Sequence, residues 1–263
     1  MAASEEVLTV GASRGSIVVE SKLIHSCGRV AHVENVHFDP SDNEAGADGL
    51  IHMIKRAATS SGCYKVIVAC APSAEPSFVR HGFAKKGLQM RFSPDARSRA
   101  SAARLSLLAY RPPSHAPIEA RRLEPADFDR GALQLLAQLT TVGDVSREGF
   151  VAFVERSDAA GERATFVLVD SASAGSLVGI GTLLLVARAA PEATGERRAH
   201  IEDVVIDERA RGRGYGALLV RTLLEAACAT GAAAVLLECS VENAAFYERL
   251  GFARAFTSMA LYL

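Results

Sequence analysis

The sequence predicts a mixed α/β fold, arranged as two tandem units. The first observation is an internal duplication. Three pairs of segments match, and they are 30–40 with 198–208, 60–70 with 229–239, and 76–83 with 244–252. The offset between the copies is 168 residues at the first pair and 169 near the end of the last, as expected for a unit encoded twice. The second observation is an alternation of apolar β-branched runs with stretches of helical periodicity.

From residue 117 onward the pattern predicts a complete unit. The unit begins with a predicted strand in IEARRLEP, a helix in ADFDRGALQLLAQL and a helix in SREGFVAFVER that is capped by Ser146. A hairpin of ATFVLVD and SLVGIGTLLLVA follows, and then a strand in AHIEDVVID and a helix in ALLVRTLLEAACATG. The last predicted elements are a strand in AAVLLEC, a helix in VENAAFYERLG and a strand in FTSMALYL.

The first copy is shorter, because the opening strand and the two helices after it have no counterpart there. We predict a truncated domain over 1–92, a linker over 93–116 that is rich in Ser, Arg, Ala and Pro, and a complete domain over 117–263. The stretch RLSLLAY (104–110) could still be a strand of the first domain.

Composition narrows the function. With a net charge of −1, the chain has no overall positive charge that would attract nucleic acids or anionic membranes as partners. Five cysteines without CxxC spacing are typical of reduced thiols in the cytoplasm. Seven histidines without HxxH or HExxH spacing predict no metal site.

The turn RGRGYG (211–216) lies between a predicted strand and a predicted helix. Backbone N–H groups in such a turn can point outward together, and the helix N-terminus adds positive potential, so the turn can hold a phosphate or pyrophosphate. On the glycines alone, a tight turn with solvated arginines is the slightly favoured interpretation.

Polar residues near this turn are candidates for chemistry. Glu202 and Asp203 are adjacent on an apolar strand, and strand alternation puts them on opposite faces unless a bulge intervenes. Glu238 ends a buried strand, at the carboxyl edge where α/β sheets place ligands. Asn243 and Tyr247 are four residues apart and share a helix face. Structural roles as a strand end, a helix cap and a core aromatic stay open for these last three.

Two motifs together resemble the GNAT acyltransferase superfamily: Arg211 with Gly214 and Gly216 between strand and helix, and NAAFYERLGF further on. The resemblance spans 117–263. Within it, QLTTVGDV (138–145), HIEDVVID and LLEC are similar to the glucosamine 6-phosphate N-acetyltransferase family, and so is SIVVESKLIHSCGRVAHVEN in the first copy. The resemblance implies two tandem GNAT-like folds, each with a mainly antiparallel sheet flanked by helices, that form a pseudo-dimer.

The resemblance also implies an activity and a site. The activity is direct transfer of the acetyl group of acetyl-CoA to the 2-amine of glucosamine 6-phosphate, in UDP-N-acetylglucosamine synthesis, with no covalent enzyme intermediate and no metal. The implied catalytic residues are Tyr247, Glu238 and Asp203. The implied acetyl-CoA ligands are Val204, Val205, Ile206, Arg211, Gly212, Arg213, Gly214, Tyr215, Gly216, Asn243 and Tyr247. The implied ligands of the sugar phosphate are Thr140, Thr141, Gly143, Arg198, Glu202 and Asp203.

The first copy lacks most of these groups. At its aligned positions, Asp203, Arg211, Gly216, Glu238, Asn243 and Tyr247 are replaced by Asn35, Asn43, Asp48, Ala69, Ala74 and Phe78, respectively. We therefore expect a non-catalytic copy that acts as a second subunit built into the chain. Further homo-oligomerisation is compatible with this expectation.

One feature departs from the family pattern. Family members carry a cationic residue in the last strand, which reaches into the partner's site, but SMALYL has none. Arg91, Arg111, Arg197 and Arg198 are the candidates for phosphate recognition. Two alternative functions stay open: acetyl transfer to another small amine or a protein N-terminus, and non-enzymatic acyl-CoA binding.

Overall fold

The computed structural model describes residues 5–94, 110, 117–173, 175–187 and 197–263. Within these residues the chain forms eleven strands, which are β1 (Glu5–Val10), β2 (Ser13–Ser21), β3 (Arg29–His37), β4 (Cys63–Cys70), β5 (Ala84–Phe92), β6 (Ile118–Arg122), β7 (Arg163–Asp170), β8 (Ser176–Ala187), β9 (Arg197–Ile206), β10 (Ala234–Cys239) and β11 (Ala253–Tyr262). Most of the predicted linker lies outside the described residues, including Arg111 and all of the predicted strand at 104–110 except Tyr110.

Six α-helices accompany these strands in the described part of the chain. They are α1 (Asn43–Ser60), α2 (Glu75–Arg80), α3 (Ala132–Ala137), α4 (Arg147–Ala160), α5 (Tyr215–Ala229) and α6 (Ala244–Glu248). The predicted cap of α4 is present, since the Ser146 hydroxyl accepts a hydrogen bond from the Gly149 N–H at 3.1 Å. None of the described helices is long and apolar enough to cross a membrane.

All eleven strands lie in one sheet, in the order β1-β2-β3-β4-β11-β5-β10-β9-β8-β7-β6. Every neighbouring pair is antiparallel except β3 with β4 and β9 with β10. The order is symmetric about the β11–β5 pair, because β1 to β5 of the first copy correspond to β7 to β11 of the second. The predicted mainly antiparallel sheet with flanking helices, in tandem, is confirmed.

The two copies exchange their last strands. Strand β5 of the first copy pairs with β10 of the second, and β11 of the second pairs with β4 of the first. The exchanged strands also pair with each other at the centre of the sheet. Because each copy completes the other's sheet, the copies share one continuous structure, and the division at residues 92 and 117 stays a prediction.

The hydrophobic cores are shared in the same way. Met90 of β5 packs in the core beneath α5, and Met259 of β11 packs in the core beneath α1. Leu23 and Ile24, in the loop after β2, belong to the core formed by α3 and α4. Each buried side chain of this size contributes about 1.5–3 kcal/mol, so neither copy retains its full core alone.

The prediction of one continuous helix over ADFDRGALQLLAQL is wrong. Residues Pro125–Phe128 form a 3₁₀ turn, and α3 begins only after Gly131, whose φ of +89° is outside the helical range. The buried Asp127 carboxylate anchors the turn, because it pairs with the Arg121 guanidinium at 2.7 Å. Apolar spacing continued through the break and therefore concealed it.

Candidate active site

Strand β9 carries a β-bulge at its carboxylate pair. The register with β8 shifts between the pairs Ile180–Val205 and Thr182–Glu202, and Asp203 has a φ of +54°. The extra residue cancels the alternation, so both carboxylates approach the same cation: Lys22 Nζ lies 2.9 Å from Glu202 Oε2 and 3.3 Å from Asp203 Oδ2. From the sequence, Glu202 and Asp203 could share one face only if a bulge intervened, and the structure contains that bulge.

Strands β9 and β10 separate beyond the start of their ladder. Their parallel pairing covers only three residue pairs, from Arg198–Ala234 to His200–Leu236. On its other side, β9 stays paired with β8 up to Ile206. The edge of Val204–Ile206 that faces β10 therefore has no strand partner, and Glu238, near the end of β10, lies beyond the separation.

The RGRGYG turn forms an open cradle at the N-terminus of α5. Gly212 and Gly214 have φ values of +76° and +84°, and a Cβ at either position would meet no atom within 4 Å. Arg211 Nε donates to the Ile206 carbonyl at 3.1 Å, which ties the turn to β9. The exposed N–H groups and the positive end of a 15-residue helix suit an anionic diphosphate.

In the first copy, a carboxylate precedes the corresponding helix α1 and is bound to the turn between β1 and β2. Asp42 Oδ2 accepts hydrogen bonds from the backbone N–H groups of Ala12 and Ser13, at 2.9 and 2.6 Å. Asp48, which replaces Gly216, lies one turn further along α1 and pairs with His81. Two carboxylates in this region would repel a diphosphate, and the absence of catalysis by the first copy stays a prediction.

Tyr247 lies at the end of the strand separation, on α6. Its ring packs against Phe246 and Phe252, and the side chain is 9% exposed. Burial, with Cys239 and Glu202 nearby, raises the pKa of Tyr247 to about 12, so the hydroxyl keeps its proton at neutral pH. Asn243 is exposed at the helix N-cap, and its side chain makes no capping hydrogen bond.

Glu238 is half-buried, and one of its two carboxylate oxygens has no hydrogen-bond partner. Its Oε1 accepts a hydrogen bond from Gln89 Nε2 at 3.2 Å, whereas Oε2 has no hydrogen-bond partner. Burial and the nearby Glu202 carboxylate raise the pKa of Glu238. Burial and neighbouring carboxylates also raise the pKa of Asp203. Carboxylates tuned in this direction are more effective proton acceptors near neutral pH.

Lys22 is the centre of an ionic network that links the copies. Besides Glu202 and Asp203, its ammonium contacts Glu20 Oε2 at 2.9 Å. The other oxygen of Glu20 pairs with Arg163 at 2.6 Å, and Oε2 also contacts His32 Nε2 at 2.9 Å. Burial opposes the charged form of Glu202, but Lys22 and His32 outweigh it and lower its pKa. The first copy therefore supplies the cation of the second copy's carboxylate pair.

A reciprocal set of ion pairs faces the first copy's strand. Glu34 and Asn35 correspond to Glu202 and Asp203, and Asn35 shares the bulge, with a φ of +54°. Arg198 Nη1 contacts Glu34 at 2.9 Å and Asn35 at 3.1 Å, and His200 Nε2 lies 3.0 Å from Glu34. In this structure Arg198 thus serves the first copy's carboxylate rather than the predicted sugar site.

Thr140, Thr141 and Gly143 line a segment that the first copy covers. His25 N–H donates to the Thr141 carbonyl at 3.2 Å, and Ser26 N–H donates to the Val142 carbonyl at 2.8 Å. Gly143 has a φ of +78°, and a Cβ there would collide with Ser26 Oγ. The loop SKLIHS therefore brings Lys22 to the carboxylates and closes against this segment.

The arginine expected in the last strand is absent from the SMALYL segment of β11, and the exchanged strand β5 carries one. Strand β11, which lacks it, completes the first copy's half, whereas β5, which carries Arg91, lies beside β10. Arg91 is exposed and opposite Leu236, two residues from Gln89 on the same face. Arg197 is exposed at the start of β9.

Histidine spacing did not reveal a cluster formed across the copies. His32, His200 and Glu202 present possible ligand atoms within 4.8 Å of one another. His32 Nδ1 and Glu202 Oε1 are 4.0 Å apart, longer than the ~3.4 Å between ligands on tetrahedral zinc. The surrounding carboxylates outweigh burial and raise the pKa of His200 to about 9, so it is a cation of the network.

Four network residues were not singled out from the sequence: Glu20, Lys22, Gln89 and Arg163. All are 8% exposed or less, and three belong to the first copy. Burial of a lysine or glutamate next to an apolar strand costs free energy unless the charge is paired. The positions of Glu20 and Lys22 beside such a strand were therefore the available signal that they are paired. Arg163 and its partner Glu20 are 143 residues apart, and Gln89 and its partner Glu238 are 149 residues apart. No local sequence pattern could reveal pairs so distant.

Comparisons with known proteins agree with this geometry. The profile of the acetyltransferase (GNAT) family matches residues 133–252. Glucosamine 6-phosphate N-acetyltransferase 1 from Oryza sativa subsp. japonica is 39% identical over 142 residues, which cover 54% of this chain and 85% of that protein.

Solved structures extend the comparison. The crystal structure of glucosamine-6-phosphate N-acetyltransferase from Arabidopsis thaliana is 32% identical, with a TM-score of 0.50 over 52% of this chain and 92% of that one. A tandem GNAT protein from the clavulanic acid biosynthesis pathway covers 95% of this chain and 78% of its own, with a TM-score of 0.50 and 14% identity, and so shares the tandem fold. The chain belongs to the GNAT family of acetyltransferases.

Proposed function

We propose that the protein transfers the acetyl group of acetyl-CoA to the 2-amine of glucosamine 6-phosphate, giving N-acetylglucosamine 6-phosphate and CoA. The observation that carries this is the separated β9–β10 pair, which has an open diphosphate cradle at one end and the partly buried carboxylates of Glu202, Asp203 and Glu238 at the other. The named activity of the relatives at 32–39% identity selects the sugar phosphate among possible amines.

Acetyl-CoA would bind along the separation. The unpaired edge of Val204–Ile206 would accept the pantetheine amides, and residues 211–216 would bind the diphosphate through backbone N–H groups and the arginines. Asn243 would bind near the thioester. The absence of side chains above Gly212 and Gly214 supports this fit, because the diphosphate needs close approach to the backbone.

The sugar phosphate would bind between the copies. Glu202 and Asp203 would accept hydrogen bonds from the sugar, and the segment with Thr140, Thr141 and Gly143 would contact its phosphate end. Arg91 and Arg197 are the candidate phosphate ligands among the described residues, because Arg198 is paired with Glu34, and the position of β5 favours Arg91. Lys22 would neutralise part of the carboxylate charge while the amine binds.

The chain's own groups would then move two protons. The amine attacks the thioester carbon, a C–N bond forms, and the C–S bond breaks. Glu238, assisted by Asp203, would accept the proton from the attacking nitrogen, and the Tyr247 hydroxyl would donate a proton to the departing thiolate. Burial raises the pKa of Cys239 to about 11, so this nearby thiol is not an activated nucleophile.

The first copy would act as the built-in second subunit. Strand β5, Lys22 and the SKLIHS loop all belong to it, and each contacts the half that carries the chemistry. We expect deletion of residues 1–110 to give an insoluble or inactive remainder, because β10 and β11 would lose the strand between them. An active, stable remainder, measured by gel filtration and turnover, would contradict this role.

A thiol-release assay tests the activity. With acetyl-CoA, we expect turnover on glucosamine 6-phosphate that greatly exceeds turnover on glucosamine or spermidine. Turnover on another amine alone would favour the broader acetyltransferase alternative, and acetyl-CoA binding without turnover on any amine would favour a binding module. Five cysteines without CxxC spacing support a cytoplasmic setting.

A further inference from the structure

Gln89 and Glu238 face each other across the strand exchange. They are direct partners in the antiparallel β5–β10 ladder, so the two side chains leave the sheet on the same face. Gln89 is 3% exposed, and its Nε2 donates to Glu238 Oε1 at 3.2 Å. The hydrogen bond fixes one carboxylate oxygen and leaves Oε2 as the one without a hydrogen-bond partner.

The chain contains its own comparison for this pair. At the equivalent place in the other half, Ser258 of β11 faces Ala69 of β4 in the same register. The half that retains the carboxylate is thus the half that retains the amide, and the half without the carboxylate has two small residues. The amide therefore accompanies the carboxylate, as expected if Gln89 is there to hydrogen-bond Glu238.

We propose that Gln89 of the non-catalytic copy is a positioning residue for Glu238: it holds Oε1 and directs Oε2 to the proton of the attacking amine. This inference rests on the proposed acetyl transfer for its kinetic consequences. The proton passes from the ammonium formed at C–N bond formation to Oε2, and then to solvent. A neutral donor suits this role, since a cation would suppress the basicity of the carboxylate.

The charged and titratable groups around Glu238 come from several elements. They are Glu202 and His200 on β9, His32 on β3, Cys239 on β10 and Tyr247 on α6. Burial and Glu202 raise the pKa of Glu238, whereas the two histidines and the Gln89 hydrogen bond lower it. Removing the amide should therefore raise the pKa of Glu238 further.

The test compares Q89M, which keeps the length of the side chain without its donor, with S258A at the equivalent position in the other half. We expect Q89M to lower kcat on glucosamine 6-phosphate about tenfold or more, with KM for acetyl-CoA unchanged, and to move the acidic limb of kcat/KM to higher pH. S258A should change none of these. In an E238Q background, Q89M should have no further effect, because Gln89 acts through Glu238.

A readout without turnover separates this inference from the proposed function. Carbon-13 NMR of side-chain carboxyls, with E238Q for assignment, should show a higher pKa for Glu238 in Q89M and in the shorter Q89N. An unchanged Glu238 pKa, or equal kinetic losses in Q89M and S258A, would overturn the positioning role. A wild-type protein that acetylates none of the tested amines would refute the proposed function instead. The NMR titration would then still show whether the Gln89 hydrogen bond controls the pKa of Glu238.

Discussion

Replacing Lys22 with methionine would remove the ammonium that three buried carboxylates share. The Lys22 side chain is 3% exposed, and it contacts Glu20, Glu202 and Asp203. Methionine fills nearly the same volume, so the change isolates the charge from the packing. Since Lys22 belongs to the first copy and two of the carboxylates to the second, the substitution also tests how strongly the copies are joined.

The contact distances set the magnitude. Each of the two 2.9 Å contacts is worth roughly 6 kcal/mol at an effective dielectric constant of about 20. Burial of the ammonium costs several kcal/mol, and Arg163 and His32 remain in the variant to compensate Glu20. We therefore expect a loss of about 3–5 kcal/mol in the free energy of unfolding at pH 7, equivalent to a fall in Tm of about 10 °C.

The loss should depend on pH in a defined direction. The pKa of Lys22 is raised in the folded protein, so its stabilisation is fully present below the pKa of unfolded lysine and disappears only as pH rises beyond it. In the variant, Glu202 and Asp203 are buried without their cation, so their folded pKa values lie above the unfolded ones. The destabilisation is then present at neutral pH and is relieved as pH falls toward 5.

Urea unfolding of the wild type and Lys22→Met at pH 7.5 and 5.0 measures both effects. Lys86→Met is the matched control, because Lys86 is exposed, and it should change stability by about 0.5 kcal/mol or less. A Lys22→Met loss below about 1 kcal/mol at pH 7.5, or the same loss at both pH values, would refute the assignment of this ammonium to the carboxylates.

Three further predictions follow from the site. Tyr247→Phe should lower kcat about tenfold or more with little change in KM, and an unchanged kcat would remove the proton-donor role. Gly214→Ala and Gly62→Ala both place a side chain at positive φ in open space and should each cost about 1 kcal/mol, but only Gly214→Ala should raise KM for acetyl-CoA. The pKa of His200 is raised to about 9, so its contribution to stability is complete below pH 6.5 and is lost as pH rises through 9. Nitrogen-15 NMR of the wild type should show this titration, and thermal unfolding of His200→Leu should show the loss of the contribution. Glu34, with a pKa of about 2, keeps its charge throughout this range.

Much of the fold was predictable because local patterns encode it. The hairpin of β7 and β8, the Ser146 cap and the order of elements follow from β-branched runs, a capping residue and helical periodicity. The helix over 126–139 was mispredicted, since neither a positive φ at Gly131 nor a buried pairing of Asp127 with Arg121 disturbs apolar spacing.

The sequence predicted which residues are candidates for the site better than it predicted the contacts among them. The RGRGYG turn, Glu238 and Tyr247 could be named from sequence, because each follows a recognisable element. That Glu202 and Asp203 meet one cation depends on a bulge, and a bulge is set by the register of two strands rather than by the residues of one. Lys22 and Gln89 were missed for a similar reason: their partners lie in the other copy.

The sequence by itself determined that one unit is encoded twice and that only the second copy carries Arg211, Glu238 and Tyr247. It did so because side-chain identity and spacing are local properties, which survive in a linear comparison of 30–40 with 198–208. Only the tertiary structure decided that the two copies exchange last strands, so that Arg91 and Gln89 stand beside the half with the chemistry. Hydrogen-bond pairing between strands distant in the chain sets that arrangement, and no local pattern records which β-strand will fill the space next to β10.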